Sequence, residues 1–394
     1  MDWIPLKSHK PSGNDSTIHE KRNGLARNSN PSNTSELPLV SVCIPAYNSE
    51  ATLGETLEAA LAQDYPRLDI VVSDNQSTDR TKAIVQQYAE RGVRYCWYSE
   101  GRPAWAETMP NYIGGFSNWN FVLSQGRGDF LCLFHSDDLY EPSIVRQQVE
   151  VMQAHPRVGA VFTRARLIGE DSRPIRMGTS KLPGELRGHP TLDFPTLLNA
   201  LLAHSNFLPT PSVMLRRSVL EKLGSFNERQ FLTSADLEMW LRIARQGYEI
   251  ALIDQPLLKY RISQRQFGGQ YNKLRTTLAD IFGVIDHYLS QPEVRAMVLP
   301  QSHGFYELQR ANDHVLCAMN LLAQGQAAEA RARLREALHW RHFATALKRS
   351  RMMVWLLAGL GLLLSAYLGF GIFAGRQVSR GYAWNQAWRR KPAQ

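Results

Sequence analysis

The sequence predicts an α/β protein built on a doubly wound sheet, and three observations predict it. From Leu39 onward short apolar runs alternate with amphipathic stretches in the order strand, helix, strand, helix, strand. Polar residues gather where those runs end, at 45–48, 74–79 and 137–138. The chain, 394 residues with 44% apolar content, is long enough for a sizeable core and for more than one structural unit.

The elements follow in order. Residues 39–47, "LVSVCIPAY", read as a strand. A helix follows, with Leu53, Leu57 and Leu61 repeating on one face and Asn48 or Ser49 as its cap. Residues 68–74, "LDIVVSD", form the second strand. The second helix starts near Ser77 or Thr78, buries Ile84 and Tyr88, and stops at Gly92. "VRYCWY" from Val93 is a third strand, and the run from Phe130 to Phe134 is a fourth, apolar enough to be buried on both faces. In such sheets ligands bind outside the carboxyl ends of the strands, where the polar clusters fall.

Several function classes are excluded. Neither G-x-G-x-x-G nor G-x-x-x-x-G-K-S/T follows the first strand, which argues against dinucleotide oxidoreductases and P-loop NTPases. The four cysteines are scattered, without metal-like spacing, and read as reduced thiols in a reducing compartment. Residues 1–36 are polar, lack an apolar core for a secretory signal, and read as a disordered tail. The net charge of +9 crowds around a C-terminal apolar segment, between Arg331 and Arg351 before it and from Arg376 to Lys391 after it. That placement suits anionic lipid and not nucleic acid.

Asp137 and Asp138 follow the fourth strand directly, where charge emerges from an apolar layer. Adjacent carboxylates without a Cys or His cluster suit a hard divalent cation, Mg2+ or Mn2+, able to clamp a diphosphate. The alternative is that they cap a helix starting near residues 141–142.

Residues 41–81, from "SVCIPAYNSE" to "SDNQSTDRT", resemble the opening of the family 2 glycosyltransferases. The resemblance implies the GT-A fold, a Rossmann-like mixed sheet flanked by helices that binds a nucleotide-sugar donor. It implies that Pro45, Ala46, Tyr47 and Asn48 line the donor's base and ribose, and that Asp74 contacts the base. The family's D-x-D motif corresponds to His135-Ser136-Asp137, followed here by Asp138. Asp137 is then the metal-side acid, Asp138 its neighbour, and His135 stands in the place of the first acid, near the ribose. Residues 210–250 resemble the second half of the same domain, with Gly224-Ser225-Phe226, then Ser234-Ala235-Asp236 and Trp240. Asp236 aligns with the catalytic base, which takes the proton of an acceptor hydroxyl as it attacks the anomeric carbon.

Asp236 also reads as the N-cap of a helix over 237–245, where the dipole would keep it ionised; Glu238 is the rival base. Tyr260 and Arg261 resemble the family's Y-R-x-H segment, with Ser263 in place of histidine and Arg261 toward the diphosphate. Asn118 falls in a loop resembling one beside the donor sugar, and Trp105 and Trp119 read as sugar-stacking or core residues.

The resemblance covers residues 39–267. A nucleotide-binding half over 37–150 and an acceptor half over 151–275 are expected, then a helical membrane-proximal region over 276–350, part of it similar to a tetratricopeptide helix pair. The uncharged stretch 352–375 reads as a transmembrane or re-entrant segment, followed by a basic tail over 376–394. The expected protein is a membrane-associated, metal-dependent, inverting glycosyltransferase facing the cytoplasm, acting on a glycan or lipid-linked hydroxyl in cell-surface polysaccharide synthesis. Transfer to polyprenyl phosphate and a non-catalytic binding subunit are the alternatives.

Overall fold

The computed structural model describes residues 37–100, 115–263 and 275–392. The N-terminal tail, Trp105 and the segment after Ser263 lie outside the described residues. The strands are β1 (Val40–Ala46), β2 (Leu68–Asp74), β3 (Val93–Trp97), β4 (Phe130–Leu133), β5 (Leu139–Tyr140), β6 (Val158–Ile168), β7 (Pro174–Thr179), β8 (Thr191–Leu192), β9 (Met214–Arg216) and β10 (Glu249–Arg261). They form one mixed sheet in the order β3-β2-β1-β4-β9-β6-β10-β5, with β7 on β6 and β8 on β10. β3, β2, β1 and β4 run parallel, so their carboxyl ends share one edge. β9 is antiparallel to β4 and β6, and therefore begins at the edge where β4 ends.

The helices that flank the sheet are α1 (Leu53–Leu61), α2 (Thr81–Gln87), α3 (Gly115–Gln125), α4 (Ile144–Ala154), α5 (Phe194–His204), α6 (Arg217–Leu223), α7 (Glu228–Phe231) and α8 (Ala235–Arg245). They cover both faces of the sheet. Alternation along β1 decides which side chain meets which layer: Val42 and Ile44 face α1 and α4, while Cys43 joins the layer of α3, α5 and α8. Gly128, between α3 and β4, sits so close to Leu39 and Ser41 that a Cβ would lie 2.5 Å from the Ser41 nitrogen. Only glycine admits that approach of two chains.

Helix starts differ from those the sequence predicts. Thr52 precedes α1, and α2 begins at Thr81, whose backbone N–H donates to Asp79 Oδ1 at 2.9 Å. Asn48 and Ser49 instead tie the loop after β1 to the loop after β2. Ser143 precedes α4, so Asp137 and Asp138 do not cap it.

The C-terminal region is helical: α9 (Asp280–Leu289), α10 (Pro292–Arg295), α11 (Pro300–Ala323), α12 (Ala327–Ala337), α13 (Trp340–Ala346), α14 (Ser350–Tyr367) and α15 (Gly371–Arg389). Here the expected membrane span is corrected: among the described residues no helix is long and apolar enough to cross a membrane. The apolar stretch 352–375 breaks after Tyr367, where Gly369 adopts φ +81°, and the chain turns back as α15. Gly359 and Gly375 serve packing. A Cβ on Gly359 would lie 2.8 Å from Val315 of α11, and one on Gly375 would lie 2.9 Å from the Ala323 nitrogen.

Candidate active site

Three loops meet where β1, β2 and β4 end, and short side-chain bonds sew them together. Asn48, itself at φ +47°, donates its N–H to Ser77 Oγ at 2.9 Å and accepts from the Thr78 N–H at 2.8 Å. Ser49 donates its N–H to Thr81 Oγ1 at 2.8 Å and shares a hydrogen bond with the Ser136 hydroxyl, also at 2.8 Å. Thr52 and Thr56 donate to the carbonyls of Ser136 and Asp138 at 2.8 and 2.9 Å. The acid-bearing turn is thereby fixed on α1. Pro45 and Ala46 are buried, whereas Tyr47 is exposed at the crevice end of β1.

Asp74 closes β2 and is fully buried. One carboxylate oxygen accepts from the Ser77 N–H at 2.9 Å and the other from the Tyr95 hydroxyl at 3.0 Å. Asn118 sits on α3 with its amide donating to the carbonyls of Ala46 and Ser73 at 3.4 and 3.3 Å, and its oxygen accepting from the Ser73 hydroxyl. It bolts β1 to β2, a duty that differs from the sugar contact the sequence predicts.

One ring nitrogen of His135 and one oxygen each of Asp137 and Asp138 lie within 4.8 Å of one another. Two of these residues also carry orphan polar atoms. His135 Nε2 and Asp138 Oδ2 are buried without a hydrogen-bond partner among the described residues. Such atoms are costly unless something else satisfies them. Burial pushes the His135 imidazole down to about 3, so it is a neutral lone-pair donor at physiological pH. Burial, then the neighbouring Asp137 charge, holds Asp138 well above the usual carboxylate range, against the Arg261 N–H bonded to it. A cation between these groups would remove both penalties, so the donor set fits a divalent metal.

Asp236 stands in the first turn of α8, after Ser234 at the cap, and so is not itself the N-cap. Its Oδ2 accepts from the Thr210 hydroxyl at 2.6 Å and its Oδ1 from the Leu237 N–H at 2.7 Å. Thr210 opens the short turn before β9, at the edge where β4 ends. Burial raises the Asp236 carboxyl above its ordinary value, although the Thr210 and Leu237 bonds oppose it. The dipole therefore does not dominate, contrary to the sequence expectation. Glu238, the rival, is buried and paired to Arg242 through Nε and Nη2, both at 3.1 Å.

Tyr260 lies near the end of β10 and is partly buried. Its phenol is pushed up first by burial, then by the charges of Asp138, Asp137 and Asp236 together. Acids from two distant segments thus bear on one phenol. Arg261 is 2% exposed and clasps the acid turn: N–H to Asp138 Oδ1 at 2.7 Å, Nε to the Asp137 carbonyl at 2.6 Å, Nη1 to Ser172 Oγ at 2.9 Å and Nη2 to Glu55 at 2.7 Å. It holds the acids instead of reaching out to a diphosphate. Trp119 packs 4.8 Å from the His135 ring and 4.5 Å from Phe116, within an aromatic cluster.

Sequence reasoning missed Thr210 and the role of Tyr260. Thr210 lies 26 positions before its partner, and no local pattern marks the contact.

Residues 41–224 match the family model described as glycosyl transferase family 2, and residues 199–375 match glycosyl transferase family group 2. These matches make the chain similar to glycosyltransferases of family 2. Among curated relatives, the Bacillus subtilis protein named "Probable glycosyltransferase YdaM" is 29% identical over 55% of this chain and 49% of its own. "Uncharacterized glycosyltransferase RT0329" of Rickettsia typhi is 26% identical over 58% of this chain and 65% of its own. The chain thus spans between about half and two thirds of these relatives' lengths. The crystal structure of S. aureus TarS has a TM-score of 0.51 at 18% identity, covering 87% of this chain and 55% of that one. TarS 1-349 in complex with UDP-GlcNAc gives 0.50 at 17%, covering 88% and 92%. At that identity the likeness shows the fold.

Proposed function

We propose that this protein is an inverting glycosyltransferase that moves one sugar from a nucleotide diphosphate sugar to a hydroxyl of a glycan or lipid-linked acceptor. The observation that carries the reading is the Asp236 carboxylate, held by Thr210 just before β9 at the sheet edge where β4 ends and the turn bearing Asp137 and Asp138 follows. Asp236 accepts the acceptor hydroxyl's proton as its oxygen attacks the anomeric carbon and the bond to the diphosphate breaks; the electron pair leaves with the nucleoside diphosphate. Thr210 holds the carboxylate that receives the proton. A divalent cation held by His135, Asp137 and Asp138 would supply positive charge against the departing diphosphate. Tyr47, exposed beside this turn, offers a face for the donor base, and Asp74 supports the loop beneath it.

The test is a donor screen on the full chain, comparing transfer by the wild type with that by Asp236→Asn. Transfer lost in the variant, with donor binding retained, is the expected result. Equal turnover would remove the base, retained activity toward a polyprenyl phosphate would move the acceptor to that class, and no transfer with any donor would favour a binding subunit.

A further inference from the structure

Residues 337–394 contain nine Lys and Arg and no Asp or Glu, so the entire formal net charge of +9 sits in this segment and the first 336 residues balance. Within it, α14 is apolar on every side. Leu356, Gly359, Leu362 and Ala366 are buried against the preceding helices, as an inner stripe should be. The opposite side is apolar too. Val354, Leu357, Leu360, Leu364, Leu368 and Phe370 are each more than half exposed, a continuous ridge along α14 and over the turn into α15. Soluble surfaces seldom keep so long an apolar ridge uncovered.

Cations frame the ridge. Lys348 is exposed before α14, and Arg376 and Arg380 are exposed on α15. Arg331 and Arg335 lie over the Tyr367 ring at 5.5 and 5.9 Å, where α14 ends. Trp384 is 71% exposed one turn beyond Arg380. A second copy covering this face about a twofold axis would set one acid-free cationic segment against another, which repels. An anionic bilayer complements both the charge and the apolar ridge.

We propose that the face made by α14 and α15 docks in the plane of an anionic bilayer, with the ridge entering the interface and the arginines at headgroup level. The chain is seated on the membrane without a span, because the inner side of α14 is already committed to α11 and α12. The proposal is independent of the transferase reading, since it draws on none of the crevice residues.

The experiment is sedimentation of the full chain with phosphatidylcholine vesicles, with and without phosphatidylglycerol. Two double variants are compared: Leu357→Glu with Leu364→Glu on the ridge, and Arg376→Glu with Arg380→Glu on the rim. Binding only to the anionic vesicles is expected, weakened by salt and released by alkaline carbonate. The rim variant should bind weaker by about fivefold or more per residue changed, and the ridge variant should lose binding with its melting temperature unchanged. Equal binding to neutral vesicles, absence of binding, or retention through the carbonate wash would overturn it. So would a stable dimer in solution that the ridge variant turns into a monomer, because a second copy would then be the occupant.

Discussion

A carboxylate that must accept a proton near neutrality is a stronger base when its charged form is disfavoured, and burial does this to Asp236. Replacing it by asparagine keeps the shape and removes the basic oxygen, so transfer should fall by about 10²–10⁴-fold, measured as kcat with donor KM little changed. Only ionised Asp236 can serve as the base, so rate falls as pH drops through its raised pKa, higher on the scale than for an ordinary carboxylate. The Thr210 bond lowers that pKa. Thr210→Val should therefore move the acid limb of the pH-rate profile to higher pH, and a limb that stays in place would separate Thr210 from the base. The acids stood out in the sequence, Asp137 and Asp138 because they follow an apolar run and Asp236 through the family resemblance. Their surroundings did not, because burial and Thr210 belong to the fold. Asp138→Asn, which replaces a buried orphan oxygen, should weaken Mn2+ binding by about 10-fold or more, as read by calorimetric titration.

At the scale of elements, β1 and β2 were readable nearly to the residue, since the short apolar runs 42–46 and 70–72 mark strands buried on both faces. What the runs did not reveal is which elements hold one another. Arg261 looked like a phosphate ligand through its resemblance to the Y-R-x-H segment, yet its fork joins β10, the acid turn and α1 through the Asp137 carbonyl and Glu55, while its backbone N–H holds Asp138. Lysine has no such fork. Arg261→Lys should loosen the turn and lower both metal affinity and kcat, with the donor's contact to Tyr47 unaffected; a rise in donor KM alone would return Arg261 to the phosphate role. The C-terminal error has a similar origin. Hydropathy registers that 352–375 is apolar, but not that Gly359 and Gly375 are the points where two helices close on α11.

For the whole molecule, α11 joins the sheet region to the C-terminal helices. Tyr306 lies in the core under the sheet's α5 and α8 face and donates to Asp286 at 2.6 Å, while Val315 and Leu322 of the same helix lie in the core that α12, α14 and α15 complete. The chain re-enters beside it through Arg275, paired to Asp313 at 2.5 Å with both side chains largely buried, and Asp313 also accepts the Ala279 N–H at 2.9 Å. A chain of this length commonly unfolds in steps. Shared apolar contacts along one 24-residue helix argue for a single step here. Asp313→Ala leaves a buried guanidinium without its main partner and should destabilise the protein by about 3–5 kcal/mol. If the two regions are one cooperative unit, calorimetry of the wild type gives one transition with equal calorimetric and van't Hoff enthalpies. The variant then lowers that transition as a whole. Two transitions, with only the lower one moved by Asp313→Ala, would mean that α11 carries no coupling. The same contacts explain why a chain cut after Leu347 is a poor test protein: without α14 and α15, Val315 and Leu322 lose their cover.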